Sequence, residues 1–81
     1  MNLLLVAVTA ANCYNLPPDQ RAYCQAIEHQ EIAYCYSIRD SALSTECRAL
    51  LHQEPSICDG VTDITERSLC RSKVENKELN S

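Results

Sequence analysis

The stretches CQAIEHQEIAYC and CRALLHQEPSIC, residues 24–35 and 47–58, align without a gap. Both begin with Cys-x-Ala, carry His-Gln-Glu at the same offset and end in a second cysteine. A shift of 22 or 23 residues extends the match along the chain to a degraded third copy, CRSKVENKELNS, at residues 70–81. Periodicity in this range is typical of proteins built from stacked structural repeats. The duplicated phrase therefore predicts a repeat architecture.

The residues between the phrases predict how each unit folds. Asp40 and Asp63 each precede a run with helical character, and Glu66 completes a capping-box pattern with Asp63. The segment Pro17-Pro18-Asp19 is expected to open its helix in the same way. Runs of β-branched residues that would indicate strands are absent. Each unit is predicted to be a short helix, a tight turn and a longer helix, so the fold class is an all-α array of about three helical hairpins.

Six cysteines in 81 residues, an even number at regular spacing, indicate a disulfide framework formed in an oxidising compartment. Cysteines eleven residues apart on one straight helix would lie roughly 16 Å apart. A disulfide needs Cα atoms within about 7 Å. The chain must therefore fold back between paired cysteines.

The regular spacing of the cysteines favours one way of pairing them into disulfides. The same spacing continued before Cys13 reaches Asn2, and continued after Cys70 it reaches Ser81. Neither residue carries sulfur. Pairing across the His-Gln-Glu phrases would leave the first and last cysteines without partners, whereas pairing across the Asp turns leaves none. The predicted bonds are Cys13–Cys24, Cys35–Cys47 and Cys58–Cys70.

Residues 1–12 are apolar and stand apart from the cysteine-rich domain at residues 13–81. The run Leu-Leu-Leu-Val-Ala-Val at residues 3–8 is far too short to span a bilayer. We expect a helix at about residues 3–11. The alternative is a signal-like remnant, although no Lys or Arg precedes the apolar run.

Composition argues against several classes of function. The net charge is −4 and the basic residues are not clustered, so a nucleic-acid partner is not expected. No amphipathic segment has a Lys/Arg-rich face that would favour a membrane surface. A single glycine is incompatible with a phosphate-binding glycine loop, and we expect no cofactor.

The duplicated histidines raise the possibility of a zinc site formed by Cys24, His29, Cys47 and His52. Five positions along a helix rotate the side chain by about 140°, so each Cys and His would point apart. The favoured interpretation is that both histidines cap helix C-termini. Six equivalent cysteines do not resemble one catalytic thiolate, and no C-x-x-C motif is present. We therefore predict no metal site, no catalytic residue and no enzyme.

The four tyrosines all lie in the first half of the chain, each next to a cysteine. They either pack over the disulfides or provide one or two exposed anchors for a protein partner, a role in which tyrosine is enriched. A partner surface is expected toward residues 14–36. The candidate partner-binding residues are Tyr14, Tyr23, Tyr34 and Tyr36.

The stretch YCYSIRDSALSTECRALL, residues 34–51, resembles a tandem motif of small bacterial and phage proteins, Cys-x-x-Ile-x-Asp-x₆-Cys-x-Ala. The first copy departs from the motif, since Pro18 replaces the Asp and one residue is missing. The resemblance implies an exported or surface-linked bacterial origin and no particular activity. The residues that match are Cys35, Ile38, Asp40, Cys47 and Ala49, followed by Cys58, Val61, Asp63 and Cys70.

Together these patterns predict a small exported protein-binding module, periplasmic or secreted, that acts by steric association as an inhibitor, immunity factor or accessory subunit. Stacked repeats suit recognition because they present an extended surface. Two alternatives stay open, a secreted toxin or effector fragment and a thiol-rich metal-handling protein. The partner and the oligomeric state are left undetermined.

Overall fold

The structure, a computed structural model, describes residues 10–80, and the side chains of residues 13–76. This part of the chain is helical and contains no β-strand. The helix predicted at residues 3–11 falls mostly outside it and stays a prediction. The elements in order are a 3₁₀ helix at Ala10–Asn15, α1 at Pro18–His29, α2 at Ile32–Tyr36, α3 at Ser41–His52, a second 3₁₀ helix at Pro55–Gly60 and α4 at Ile64–Asn80.

The elements form three hairpins, each a short helix followed by a longer one. The first repeat comprises residues 10–29, the second residues 32–52 and the third residues 55–80. The short member is a 3₁₀ helix in the first and third repeats and the α-helix α2 in the second. The predicted all-α repeat array is confirmed.

One disulfide joins the short helix to the long helix of each repeat. The predicted pairing is confirmed, with Cα–Cα distances of 5.6, 5.5 and 5.7 Å for Cys13–Cys24, Cys35–Cys47 and Cys58–Cys70. All six cysteines are bonded. These bonds require an oxidising environment, because cytosolic thiols are kept reduced.

Aspartates begin two of the long helices as predicted. The Asp40 carboxylate accepts the Leu43 N–H at 2.9 Å, and that of Asp63 accepts the Glu66 N–H at the same distance. Both therefore satisfy one of the N–H groups left free in the first helical turn.

The segment Pro17-Pro18-Asp19 begins α1 as expected, but without the aspartate side-chain cap of the other two long helices. Pro17 occupies the N-cap position without a side-chain hydrogen bond, and α1 begins at Pro18. Asp19 consequently lies inside the first turn, and its carboxylate accepts the N–H groups of Arg39 at 2.9 Å and Asp40 at 3.0 Å. This carboxylate connects the first repeat to the turn of the second.

The duplicated His-Gln-Glu phrase is the connector between repeats. His29 is the last residue of α1, Gln30 adopts the left-handed conformation with φ 52°, and the following glutamate is extended. The second copy repeats this geometry, with φ 54° at Gln53. In each copy the glutamate N–H donates to an alanine carbonyl near the helix end, at 3.0 Å. The phrase ends one helix and redirects the chain into the next repeat.

The histidines stand where a capping residue was expected, but they do not cap through their side chains. His29 and His52 end α1 and α3. The hydrogen bonds of residues 13–76 include none from either imidazole. The backbone N–H groups of the Gln and Glu that follow instead donate to the Ala26 carbonyl of α1 and to the Ala49 and Leu50 carbonyls of α3.

The core is divided between the two junctions of adjacent repeats. Small side chains of one long helix pack on the disulfide of the next repeat, which allows close approach. No Cα of α1 lies within 8 Å of a Cα of α4, so each repeat packs on its neighbour. The first core cluster is Ala22, Ala26, Cys35, Ile38 and Cys47, and the second is Ala49, Leu50, Cys58, Cys70 and Val74.

Candidate interaction surfaces

The cysteines and histidines considered as zinc ligands are not brought together. Cys24 and Cys47 belong to different disulfides, and each histidine lies at the end of its helix. The part of the chain that the structure describes contains no cluster of His, Cys, Asp or Glu arranged to hold a metal ion. In this oxidised form the six cysteines offer no thiolate.

Two tyrosines project into solvent from equivalent positions. Tyr14 and Tyr36 each follow the cysteine of a short helix, and they are 65% and 67% exposed. The neighbouring cysteines, Cys13 and Cys35, are fully buried. Each exposed ring is therefore carried on backbone that a disulfide fixes to the long helix.

The long helix supplies a cation beside this position in two repeats. The Arg48 guanidinium carbon lies 5.5 Å from the centre of the Tyr36 ring, a cation–π contact. In the third repeat Arg71 pairs with Asp59 at 3.2 Å. Both arginines directly follow a long-helix cysteine, and both partners directly follow a short-helix cysteine.

We call these equivalent positions the disulfide row. Each pair consists of the residue after the short-helix cysteine and the residue after the long-helix cysteine. In the first repeat these residues are Tyr14 and Gln25. The first two pairs of the row each contain a tyrosine, whereas the third is the ion pair of Asp59 with Arg71. Tyr14 and Tyr36 were predicted from the sequence, whereas Arg48 and Arg71 were not. Their signal was available, because each follows the first cysteine of its copy of the phrase, Arg48 in the second copy and Arg71 in the degraded third.

Tyr34 and Tyr23 are not exposed in this way. Both are half-buried and pack against the core. The Tyr34 ring centre lies 6.1 Å from that of His29. The Tyr23 hydroxyl donates a hydrogen bond to a carboxylate oxygen of Glu46 at 2.7 Å.

Glu46 is the centre of a polar connection across all three long helices. Its side chain is only 11% exposed, and the Lys73 ammonium lies 2.9 Å from the oxygen that Tyr23 contacts. Burial raises the pKa of Tyr23 most, and the hydrogen bond and negative charge of Glu46 raise it further. Tyr23 therefore stays protonated as a donor, which argues for a structural role.

A cleft of about 480 Å³ opens between α1 and α3. Its walls are largely apolar, and a cysteine is part of them. The lining residues are Leu16, Gln20, Tyr23, Cys24, Ile27, Glu28 and Leu50.

Comparison with known proteins gives no match, whether to a family model, a curated protein or a solved structure. The resemblance to tandem-motif bacterial and phage proteins accordingly stays a prediction. Among the residues that the structure describes, no helix has the length and apolar character needed to cross a membrane.

Proposed function

We propose that this chain is a small exported protein-binding module that acts without catalysis, by steric association, in the periplasm or outside the cell. The role would be that of an inhibitor, immunity factor or accessory subunit. One observation carries the proposal: Tyr14 and Tyr36 are both about two-thirds exposed, at equivalent positions beside buried disulfides.

The physical argument is preorganisation. Tyrosine offers a large amphipathic contact area with few rotatable bonds, so ordering it on binding costs little entropy. At Tyr36 the Arg48 guanidinium, which also donates to the Thr45 hydroxyl at 3.1 Å, holds one face of the ring. Tyr and Arg, together with Trp, are enriched among the residues that contribute most of the binding energy in protein interfaces.

The proposed contact area is the aromatic half of the disulfide row. The charged pair Asp59 and Arg71 would lie at its rim, where exposed ion pairs contribute little affinity but influence orientation and association rate. This arrangement matches the usual anatomy of interfaces, an aromatic centre with a polar border.

The test is differential capture by the oxidised full-length protein. The wild type and a Tyr14→Ala/Tyr36→Ala variant are immobilised and exposed to the extracytoplasmic fraction of the source organism, and bound proteins are identified by mass spectrometry. We expect a partner that the wild type enriches and the variant loses.

The matched control is Ile64→Ala/Leu69→Ala, which removes two exposed apolar side chains of α4, 72% and 54% accessible. This control should retain the partner. Equal capture by the tyrosine variant and the wild type, or no enrichment by any form, would count against the proposal.

A further inference from the structure

The three disulfides differ in how well they are covered. Five of the six cysteines are at most 1% exposed, whereas Cys24 is partly exposed and lines the cleft between α1 and α3. The buried five are Cys13, Cys35, Cys47, Cys58 and Cys70.

The repeat packing explains the difference. Ala22 and Ala26 of α1 belong to the core cluster that buries the disulfide of the second repeat. Ala49 and Leu50 of α3 do the same for the third. The second and third bonds are thus each covered by the long helix of the repeat before them. Cys24, in the first repeat, is instead partly exposed and lines the cleft.

We propose that Cys24 is a thiol–disulfide exchange site, at which an external thiol attacks the Cys13–Cys24 bond through the cleft. The incoming thiolate forms a bond to Sγ of Cys24, and the Cys13–Cys24 bond breaks. The electron pair leaves on Sγ of Cys13, which takes a proton from water. A second thiolate can attack the external sulfur of the mixed disulfide, so that two thiols are oxidised and one protein disulfide is reduced.

The residues that line the cleft indicate which class of external thiol should react fastest with Cys24. Leu16, Ile27 and Leu50 give it apolar walls, and the exposed carboxylate of Glu28 lies at its border. The attacking thiolate is an anion in either case, but a thiol with no other charged group brings one negative charge, whereas a thiol that also carries a carboxylate brings at least two. The second kind loses more charge solvation in the cleft and meets stronger repulsion from Glu28. Thiols with no other charged group should therefore react faster than carboxylate-bearing thiols of similar size and basicity.

The experiment treats the native full-length protein with 2-mercaptoethanol, traps free thiols with iodoacetamide at successive times and maps the labels by mass spectrometry. We expect Cys13 and Cys24 to be labelled at least about tenfold faster than the other four cysteines, because exchange rates depend on access to the attacked sulfur. Simultaneous labelling of all six cysteines, or faster labelling at another pair, would overturn the proposal.

A variant that obstructs the cleft tests the route of attack. Gln20→Trp adds a bulky ring at an exposed residue of the cleft wall and should slow labelling of Cys24 several-fold. Glu66→Trp adds the same ring at the equivalent position of the third repeat and should leave the rate unchanged. Circular dichroism verifies that both variants fold. A Gln20→Trp rate equal to the wild type would contradict attack through the cleft.

Discussion

The Tyr23 hydroxyl donates to the Glu46 carboxylate at 2.7 Å, although the two residues are 23 positions apart, one repeat length. Lys73, a further repeat along, reaches the same carboxylate oxygen at 2.9 Å. No Cα of α1 lies within 8 Å of a Cα of α4, so Glu46 forms a polar link between two helices whose backbones do not approach closely. Polar connection therefore supplements the nearest-neighbour packing of apolar side chains.

Removing the Tyr23 hydroxyl should weaken this connection. We expect Tyr23→Phe to lower the free energy of unfolding by about 1–3 kcal/mol, since a hydrogen bond to a charged, mostly buried carboxylate is lost. Urea denaturation of the oxidised protein measures the change. Tyr14→Phe is the matched control and should change stability by less than about 0.5 kcal/mol, because that side chain is largely exposed. Equal effects of the two substitutions would show that the connection contributes nothing measurable.

The same hydroxyl predicts a loss of stability at high pH. The pKa of Tyr23 is raised in the folded protein, mainly by burial and further by Glu46, while an unfolded tyrosine ionises near about 10. Above that pH the unfolded chain has released a proton that the folded chain retains. The contribution of Tyr23 is therefore fully present below pH about 10 and is lost as the pH rises further.

Urea denaturation at a series of pH values checks this direction. The free energy of unfolding should fall more steeply above pH about 10 in the wild type than in Tyr23→Phe. The Tyr14→Phe control should follow the wild-type curve. Parallel curves for the wild type and Tyr23→Phe would contradict the assigned pKa shift.

Periodicity made the scaffold predictable, but it did not predict the contacts between repeats. The hairpins, the two Asp caps and the cysteine pairing recur at the same positions of successive repeats. A feature predicted in one copy is therefore reinforced by its recurrence in another. The residue before each long-helix cysteine is instead Tyr23, Glu46 or Leu69. Three unlike side chains give no repeat signal, and the contact of Tyr23 and Lys73 with Glu46 depends on how adjacent helices pack. The contacts of Asp19 were unpredictable for a related reason, because Pro17 takes the N-cap position of α1 in that copy alone.

Asp19 should be more important for stability than its surface position suggests. Its carboxylate accepts two backbone N–H groups of the second repeat, and we expect Asp19→Ala to cost about 1–2 kcal/mol. Asp59→Ala, which breaks an exposed ion pair, should cost no more than about 1 kcal/mol. Chemical denaturation of both variants measures the difference. An Asp19→Ala cost no larger than that of Asp59→Ala would argue against a stabilising link between the repeats.

Complete reduction should unfold the array. Each disulfide closes a loop with a sequence separation of 11 or 12 and contributes on the order of 3 kcal/mol in the chain-entropy account. Three such contributions are comparable to the whole stability of a small domain. Far-UV circular dichroism in excess reductant should show loss of most helical signal. A reduced chain that still unfolds cooperatively would show that packing alone maintains the fold.

The connectors between repeats offer sites for stabilisation. Gln30 and Gln53 have φ values of 52° and 54°, which glycine adopts without the steric cost of a Cβ. Both side chains are exposed. We therefore expect Gln30→Gly and Gln53→Gly each to raise the free energy of unfolding by about 0.5–1 kcal/mol, despite the greater entropy of an unfolded glycine.

The matched comparison is Gln53→Val, which should destabilise the protein because a β-branched residue fits the left-handed conformation poorly. Urea denaturation of the three oxidised variants measures both directions of change. Stabilisation by glycine together with destabilisation by valine would confirm that backbone conformation determines the effect at these connectors. If Gln30→Gly and Gln53→Gly instead lost stability, the glutamine side chains would have to stabilise the connector through contacts that outweigh its backbone strain.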